Sequence, residues 1–328
     1  MDRKLKVAVT CAGDVFMERP ECGAPLAEAG IGYEAVSHWG GGYAERLKGY
    51  DCVIAGGEPF NKRVLDQMPD LKLIVRHGVG YDAVDHGYAA KLGIAAMNLP
   101  GCNSESVAEF ALTLMLCVTH NVVGYHAGIV GWPRHHTVDK AMEGTVGLIG
   151  FGAIARSLAS MLRPFPFDRI LAYDPYVDAG VMEGHGVVKC GLEDIRREAD
   201  IISLHLPSMP ETDRMVDGRF LSGLGKRAIL INTARGALID EEALIRALEC
   251  GDLAGAGLDV TDPEPMAPDS PLKGLPNVVL TPHVATNNLR VRIKVHTLAS
   301  KAIVEFFSGG SPKGILNPGY AANARFKA

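Results

Sequence analysis

Gly144-Thr-Val-Gly-Leu-Ile-Gly-Phe-Gly-Ala-Ile-Ala-Arg156 joins an apolar run to a helical pattern through closely spaced glycines. Val146, Leu148 and Ile149 suit a strand covered on both faces. Gly150 and Gly152 permit a tight turn and the close approach of a pyrophosphate to the N-terminus of the following helix. Ala155 stands where a third glycine is usual. Nineteen positions beyond it, at the end of the apolar run Ile170–Tyr173, comes Asp174. A carboxylate there accepts hydrogen bonds from ribose hydroxyls and repels a 2′-phosphate, so NAD is expected rather than NADP. Glycines at strand-to-helix turns have steric uses of their own. The preceding strand, the following helix and the spaced acid together carry the dinucleotide reading.

Composition sets the bounds around this stretch. A chain of 328 residues, 47% hydrophobic and 22% charged, can build a large core and is long for one domain, so two are expected. A net charge of −5 with pI near 6.1 offers no general attraction to nucleic acid or anionic lipid. The apolar run Phe110–Val118 is too short for a membrane span. Met1–Lys6 leads directly into a strand without the features of a signal peptide, so a cytoplasmic location is expected. The seven cysteines are odd in number and lack Cys-x-x-Cys spacing, which argues against a disulfide framework or a metal site.

From Lys6 to about Pro100, the strand candidates Val7–Thr10, Tyr33–Val36, Cys52–Ala55, Leu73–Arg76 and Ile94–Met97 alternate with helical stretches such as Asn61–Met68 and Val84–Lys91. This predicts an α/β layer in its own right. The loop Arg76–Asp82 leaves a strand end with two glycines, and its amides can cradle an anion. Leu99–Ser106 is a break, with Asn103 or Ser104 placed to cap a helix to about His120, and the domain boundary is set there. The segment holding Trp132, His135 and His136 has no assigned place, the two histidines reading as surface residues. Beyond it the strand candidates are Val146–Ile149, Ile170–Tyr173, Val187–Lys189, Ile201–Leu206, Ala228–Asn232, Gly255–Asp259 and Val278–Thr281. Helices at Leu192–Ala199 and Glu241–Leu248, the latter capped by Asp240 and stopped at Gly251, complete a doubly wound parallel sheet. A helical tail from about Asn287 to Phe307 suits packing back on the first domain.

Ligands bind open parallel sheets outside the carboxyl ends of the strands. The residues leaving those ends here are Gly150 and Gly152, His205 and Pro207, Thr233-Ala-Arg235, Asp259 followed by Glu264, and His283. Hydride delivery to a carbonyl carbon builds negative charge on oxygen and calls for an acid of near-neutral pKa, which His283 supplies. Glu264 can hydrogen-bond the far ring nitrogen, and Arg235 can fork onto a carboxylate or polarise the carbonyl. Singly, each has a plainer reading: a solvated loop arginine, a satisfied core histidine, a glutamate in a proline-flanked turn. His205 reads equally as a cofactor contact. Their shared edge favours chemistry.

On these residues the chain resembles the D-isomer specific 2-hydroxyacid dehydrogenases, and among them the phosphoglycerate dehydrogenase-like members. The matching pieces are Arg76–Asp85, Asn103 with Ser106–Glu109, the glycine stretch, Ala199–Pro207, Ile231–Gly236, Gly257–Pro265 and Thr281–Ala285. The resemblance implies Arg235, Glu264 and His283 as the catalytic set, with Val79 and Gly80 amides and Arg235 on the substrate carboxylate. It implies an NAD site of Gly150, Phe151, Gly152, Ala153, Ile154, Asp174, His205, Pro207, Thr212, Thr233, Ala234, Asp259 and His283. It further implies two Rossmann-like or flavodoxin-like α/β domains: a discontinuous substrate domain, 1–100 plus 287–328, and an NAD-binding domain, 101–286. A homodimer pairing through the cofactor domains follows from the same likeness.

Two departures stand out. Ala285–Arg290 replaces small residues and a Thr-x-Glu after the acid, and Ala55-Gly-Gly-Glu58 is unwelcoming to a phosphate. A C-terminal regulatory domain is not expected. The expected activity is NAD-dependent interconversion of a small 2-oxo acid and its D-2-hydroxy acid. A dinucleotide-sensing corepressor-like protein and phosphoglycerate dehydrogenase proper are the alternatives.

Overall fold

The computed structural model describes residues 4–38, 42–127, 141–225 and 228–325, and Trp132, His135 and His136 lie outside them. The chain divides into two compact units, Met1–Asn103 with Asn287–Ala328, and Ser104–Thr286.

The first unit holds β1 (Lys6–Val9), β2 (Gly32–Ala35), β3 (Cys52–Ala55), β4 (Leu73–Arg76) and β5 (Ala95–Met97), all parallel, in the order β2-β1-β3-β4-β5. Unbroken apolar runs make the centre. Val7, Val53, Ile54, Leu73 and Ile74 are fully buried, whereas the edge strand β2 is largely exposed. Each such side chain contributes about 1.5–3 kcal/mol by leaving water. The helix Leu289–Phe307 buries Val295, Ala299 and Ile303 in the same core as Val9, Cys22 and Val75. Ser300 Oγ locks it by donating to Cys22 O at 2.6 Å.

The second unit holds β6 (Gly144–Ile149), β7 (Phe167–Tyr173), β8 (Val188–Lys189), β9 (Ile201–Leu204), β10 (Ile229–Asn232), β11 (Gly255–Leu258) and β12 (Val278–Leu280). The order is β12-β11-β10-β9-β6-β7-β8, again all parallel. Strand order therefore reverses between β6 and β9, which opens a crevice at their carboxyl ends. The helix Ser104–Thr119 seals one face, with Ala108, Ala111, Leu114 and Met115 packed among Leu148, Ile201 and Ile231. On Glu241–Cys250 the Asp240 side chain accepts from Ala243 N, and Gly251 ends the helix in the left-handed region. Strand β9 stops at Leu204, two residues before the expected end, because the chain leaves the ladder toward Pro207, which has no N–H to donate. The helix expected over 61–68 is confined to Lys62–Leu65.

Candidate active site

The two glycines after β6 have different physical reasons to be glycine. Gly150 has φ of 90°, and a Cβ on it would lie 2.6 Å from His205 O, so only glycine lets the turn pass the end of β9. Gly152 has φ of −75°, and a Cβ on it would meet no protein atom within 4 Å. Neither packing nor backbone conformation demands glycine at that position. The space it leaves lies before the helix Ala153–Leu162, which has no side-chain cap, so its first-turn amides at Ala153 and Ile154 are available to an anion. Ala155 is fully buried among Val146 and Leu158, so the sheet-facing side of the helix accommodates its methyl. Phe151 N donates to Asp174 Oδ2 at 2.9 Å, and Tyr176 N donates to Asp174 Oδ1 at 2.9 Å.

Further along the same edge, His205 Nε2 and Thr233 Oγ1 are buried without a hydrogen-bond partner among the described residues. Burial pushes the His205 pKa down to about 4, so the ring is neutral near pH 7. Thr212 Oγ1 closes the loop after β9, donating to Pro207 O at 2.8 Å and accepting from Met209 N at 2.9 Å. Ala234 N donates to Asn232 Oδ1 at 2.9 Å. An open glycine, an uncapped helix N-terminus and orphaned polar atoms just past the ends of β9 and β10 together fit a dinucleotide.

The ends of β10, β11 and β12 carry the remaining chemistry. Arg235 follows β10, its carbonyl accepting from Asn232 Nδ2 at 2.8 Å. A Cβ on the next residue, Gly236, would lie 2.1 Å from the Thr261 carbonyl carbon. That close approach lays the segment leading to Glu264 against the Arg235 loop. His283 has φ of 54°, a left-handed conformation costly for a residue with a Cβ. Asp259 holds it there: Asp259 O accepts from His283 N at 2.7 Å, and its buried carboxylate accepts from Thr281 Oγ1, Val284 N and Ala285 N at 2.6, 2.8 and 2.9 Å. The strain persists because the turn is over-determined.

His283 Nδ1 lies 2.5 Å from Glu264 Oε1. That hydrogen bond raises the His283 pKa above the usual imidazole value. Burial opposes it, the charges of Glu264 and Asp259 add to it, and Arg235 subtracts.

In the first unit the loop after β4 presents Val79 and Gly80. The carbonyls of Gly78, Val79 and Gly80 accept from Leu99 N, Asn98 Nδ2 and Arg76 Nε at 2.9, 2.7 and 3.1 Å, which fixes their peptide planes. The first unit also gathers a polar cluster around Glu58, which the sequence marks only as unwelcoming to a phosphate. Glu58 Oε1 accepts from Thr10 Oγ1 while Oε2 is buried without a partner among the described residues. Cys11 Sγ lies 3.6 Å from His77 Nδ1, whose ring lies against that of His296 at a tilt of 47° with centroids 4.1 Å apart. His77 lies in the Arg76–Asp82 loop and His296 in the C-terminal helix, 219 positions later (296 − 77), so only the folded arrangement reveals the pair. Arg156 was passed over as well, although a cation four positions after Gly152 is a readable signal.

Among the described residues no group of His, Cys, Asp and Glu is arranged to hold a metal ion, and no helix is long and apolar enough to cross a membrane. Residues 112–285 match the model of the D-isomer specific 2-hydroxyacid dehydrogenase NAD binding domain. The chain is 34% identical over 281 residues to a glyoxylate reductase of Korarchaeum cryptofilum, covering 83% of this chain and 84% of that protein. It is 33% identical over 278 residues to a D-3-phosphoglycerate dehydrogenase of Methanocaldococcus jannaschii, covering 83% of this chain and 53% of that one. A solved D-lactate dehydrogenase from Aquifex aeolicus, complexed with NAD and lactic acid, is similar at a TM-score of 0.80 and 27% identity, covering 93% of this chain and 96% of that one. The chain belongs to the D-isomer specific 2-hydroxyacid dehydrogenase family. Its activity is that of an NAD-dependent oxidoreductase acting on 2-hydroxy acids.

Proposed function

We propose that the protein interconverts a small, unphosphorylated 2-oxo acid and its D-2-hydroxy acid, with His283 as general acid and base. The observation that carries this reading is the His283–Glu264 pair on the same strand edge as Arg235. Bound NAD supplies or takes up the hydride at the substrate's second carbon. His283, with Nδ1 on Glu264, gives a proton from Nε2 to the carbonyl oxygen in reduction and takes it back in oxidation. Glu264 fixes the tautomer and stabilises the imidazolium. Arg235 polarises the carbonyl and pairs with the substrate carboxylate, which the Val79 and Gly80 amides also take.

In this reading Ser104–Thr286 is the NAD-binding domain. Gly150, Phe151, Gly152, Ala153 and Ile154 meet the pyrophosphate and Asp174 the ribose, while His205, Pro207, Thr212, Thr233, Ala234 and Asp259 line the rest of the site. The other unit is the substrate domain. Glu58, only 5% exposed on the same sheet edge as Val79 and Gly80, favours an uncharged substrate tail over a phosphate. A cytoplasmic homodimer completes the reading: all seven cysteines are free thiols, and Val122, Val123 and Tyr125 are exposed apolar residues just after the helix Ser104–Thr119.

Oxidation of NADH measured with glyoxylate, hydroxypyruvate, pyruvate, 2-oxoglutarate and phosphohydroxypyruvate tests it. Turnover of one of the first four is expected. No turnover with any 2-oxo acid overturns the reading, and a preference for phosphohydroxypyruvate overturns its unphosphorylated part.

A further inference from the structure

Phe151, the residue between Gly150 and Gly152, is held at both ends of its backbone. Its N–H donates to Asp174 Oδ2 at 2.9 Å, and its carbonyl accepts from Arg156 Nε at 3.1 Å. Its ring is fully buried, lies edge-on to His185 with centroids 5.8 Å apart, and has the Arg156 guanidinium carbon 5.7 Å from its centroid. The turn itself does not need the arginine, since Gly150 supplies the positive φ and Gly150 N reaches Tyr173 O at 2.8 Å.

An arginine in the first turn of a half-exposed helix ordinarily extends its head into water. Arg156 instead folds back onto the glycine turn, and only Nε is used in doing so. Both Nη groups are without a hydrogen-bond partner among the described residues. The guanidinium keeps its charge at any accessible pH. It is therefore a fixed cation on the flank of the turn at which Gly152 leaves open space.

We propose that Arg156 binds the dinucleotide pyrophosphate through its Nη groups, adding a charged side chain to the helix amides. Asp174, on the other end of the same residue, takes the ribose. The backbone of Phe151 thereby sets the spacing between a cationic and an anionic cofactor contact.

The test is binding of NADH by fluorescence, and of ADP-ribose and adenosine by calorimetry, to the full chain and to R156M and R156K. R156M weakens NADH and ADP-ribose about tenfold or more, the range of a charge-assisted hydrogen bond. Adenosine, which has no phosphate, binds within about twofold of the parent, and R156K, which keeps the charge but not the fork, falls between. Added salt weakens ADP-ribose binding more for the parent than for R156M. Equal losses for adenosine and ADP-ribose would make Arg156 a brace of the turn only and overturn the proposal. Unchanged ADP-ribose affinity overturns it as well. R156Q, neutral and of similar length, is read in the same way should R156M not fold.

Discussion

His283 and Glu264 are joined by a 2.5 Å contact between Nδ1 and Oε1, although β12 and β11 deliver them from separate loops and each side chain is nearly half exposed. A carboxylate on one ring nitrogen holds the proton of the other at higher pH. In the folded protein the His283 pKa is raised, so the protonated form that the proposed carbonyl reduction uses persists above the usual imidazole range and is lost as pH rises through the raised value.

Replacing Glu264 with Gln removes the main cause of that shift. The basic limb of kcat/KM for NADH-dependent reduction then moves to lower pH, by roughly one unit for each 1.4 kcal/mol of lost interaction. Any stability the pair provides is present below the unfolded-state pKa of His283 and disappears as pH rises past the folded value. An unmoved limb in E264Q would mean that another group sets it.

The variant His283→Ala lowers kcat by a factor of about 10² to 10⁴, the range for a lost general acid, with NADH affinity nearly intact. Steady-state rates beside NADH fluorescence titration check it. Equal loss of both quantities would make the histidine structural.

Asp259 is 1% exposed and accepts three hydrogen bonds from Thr281, Val284 and Ala285. Its replacement by Ala leaves those donors unpaired at a strained turn. Destabilisation by about 2–4 kcal/mol is expected, a figure set by the cost of unsatisfied buried donors. Denaturant titration measures it, and a loss confined to activity would place the role of Asp259 in substrate or cofactor contact alone.

The two glycines separate packing from ligand contact. Gly150→Ala forces a Cβ against the His205 carbonyl at positive φ, so it lowers both Tm and NADH affinity. Gly152→Ala places its methyl in open space, so Tm stays within about 2 °C while NADH affinity falls at least tenfold, as expected for a group blocking close backbone approach. Normal NADH binding by G152A would remove the pyrophosphate from this turn.

Acid should act on the buried His296. Its pKa is pushed down to about 4 by burial, with the Arg292 charge adding to the effect. A histidine depressed in the fold binds more protons when unfolded, so its stability contribution is present above about pH 6.5 and is lost as pH falls toward 4. Between pH 7 and pH 5 the loss is about 2 kcal/mol for this one residue by linkage. Urea titrations at the two pH values, on the parent and on H296N, check it: the variant should lose less.

Much of the fold could be read along the chain. Unbroken runs such as Cys52–Ala55 and Ile229–Asn232 read as buried parallel strands because residues covered on both faces have no polar alternation. Asp240 and Gly251 bracket their helix through local hydrogen bonding and local φ, which depend on few neighbours. Strand β9 ends at Leu204 and not at the expected Leu206, because after His205 N the next ladder donor would be Pro207, which has no N–H. The candidate site was legible as a set of strand ends: Arg235, Glu264 and His283 each follow a strand in the second half of the sheet.

By itself the sequence determined the α/β class and the two sheets, and it set Arg235, Glu264 and His283 after strand ends on the same sheet as the glycine turn, all of which rests on short-range pattern and on the rule that parallel strands open at their carboxyl ends. Only the tertiary structure decided why each residue is there. It showed Gly150 to be required by the carbonyl of His205, Asp259 to be the support beneath His283, and Arg156 to fold back on Phe151. It also brought the ring of His77 against that of His296 across 219 positions of sequence (296 − 77), a contact that the topology of the first unit makes and no local pattern records. Such contacts join residues far apart in the chain, and their energies depend on distances that exist only once the sheets have formed.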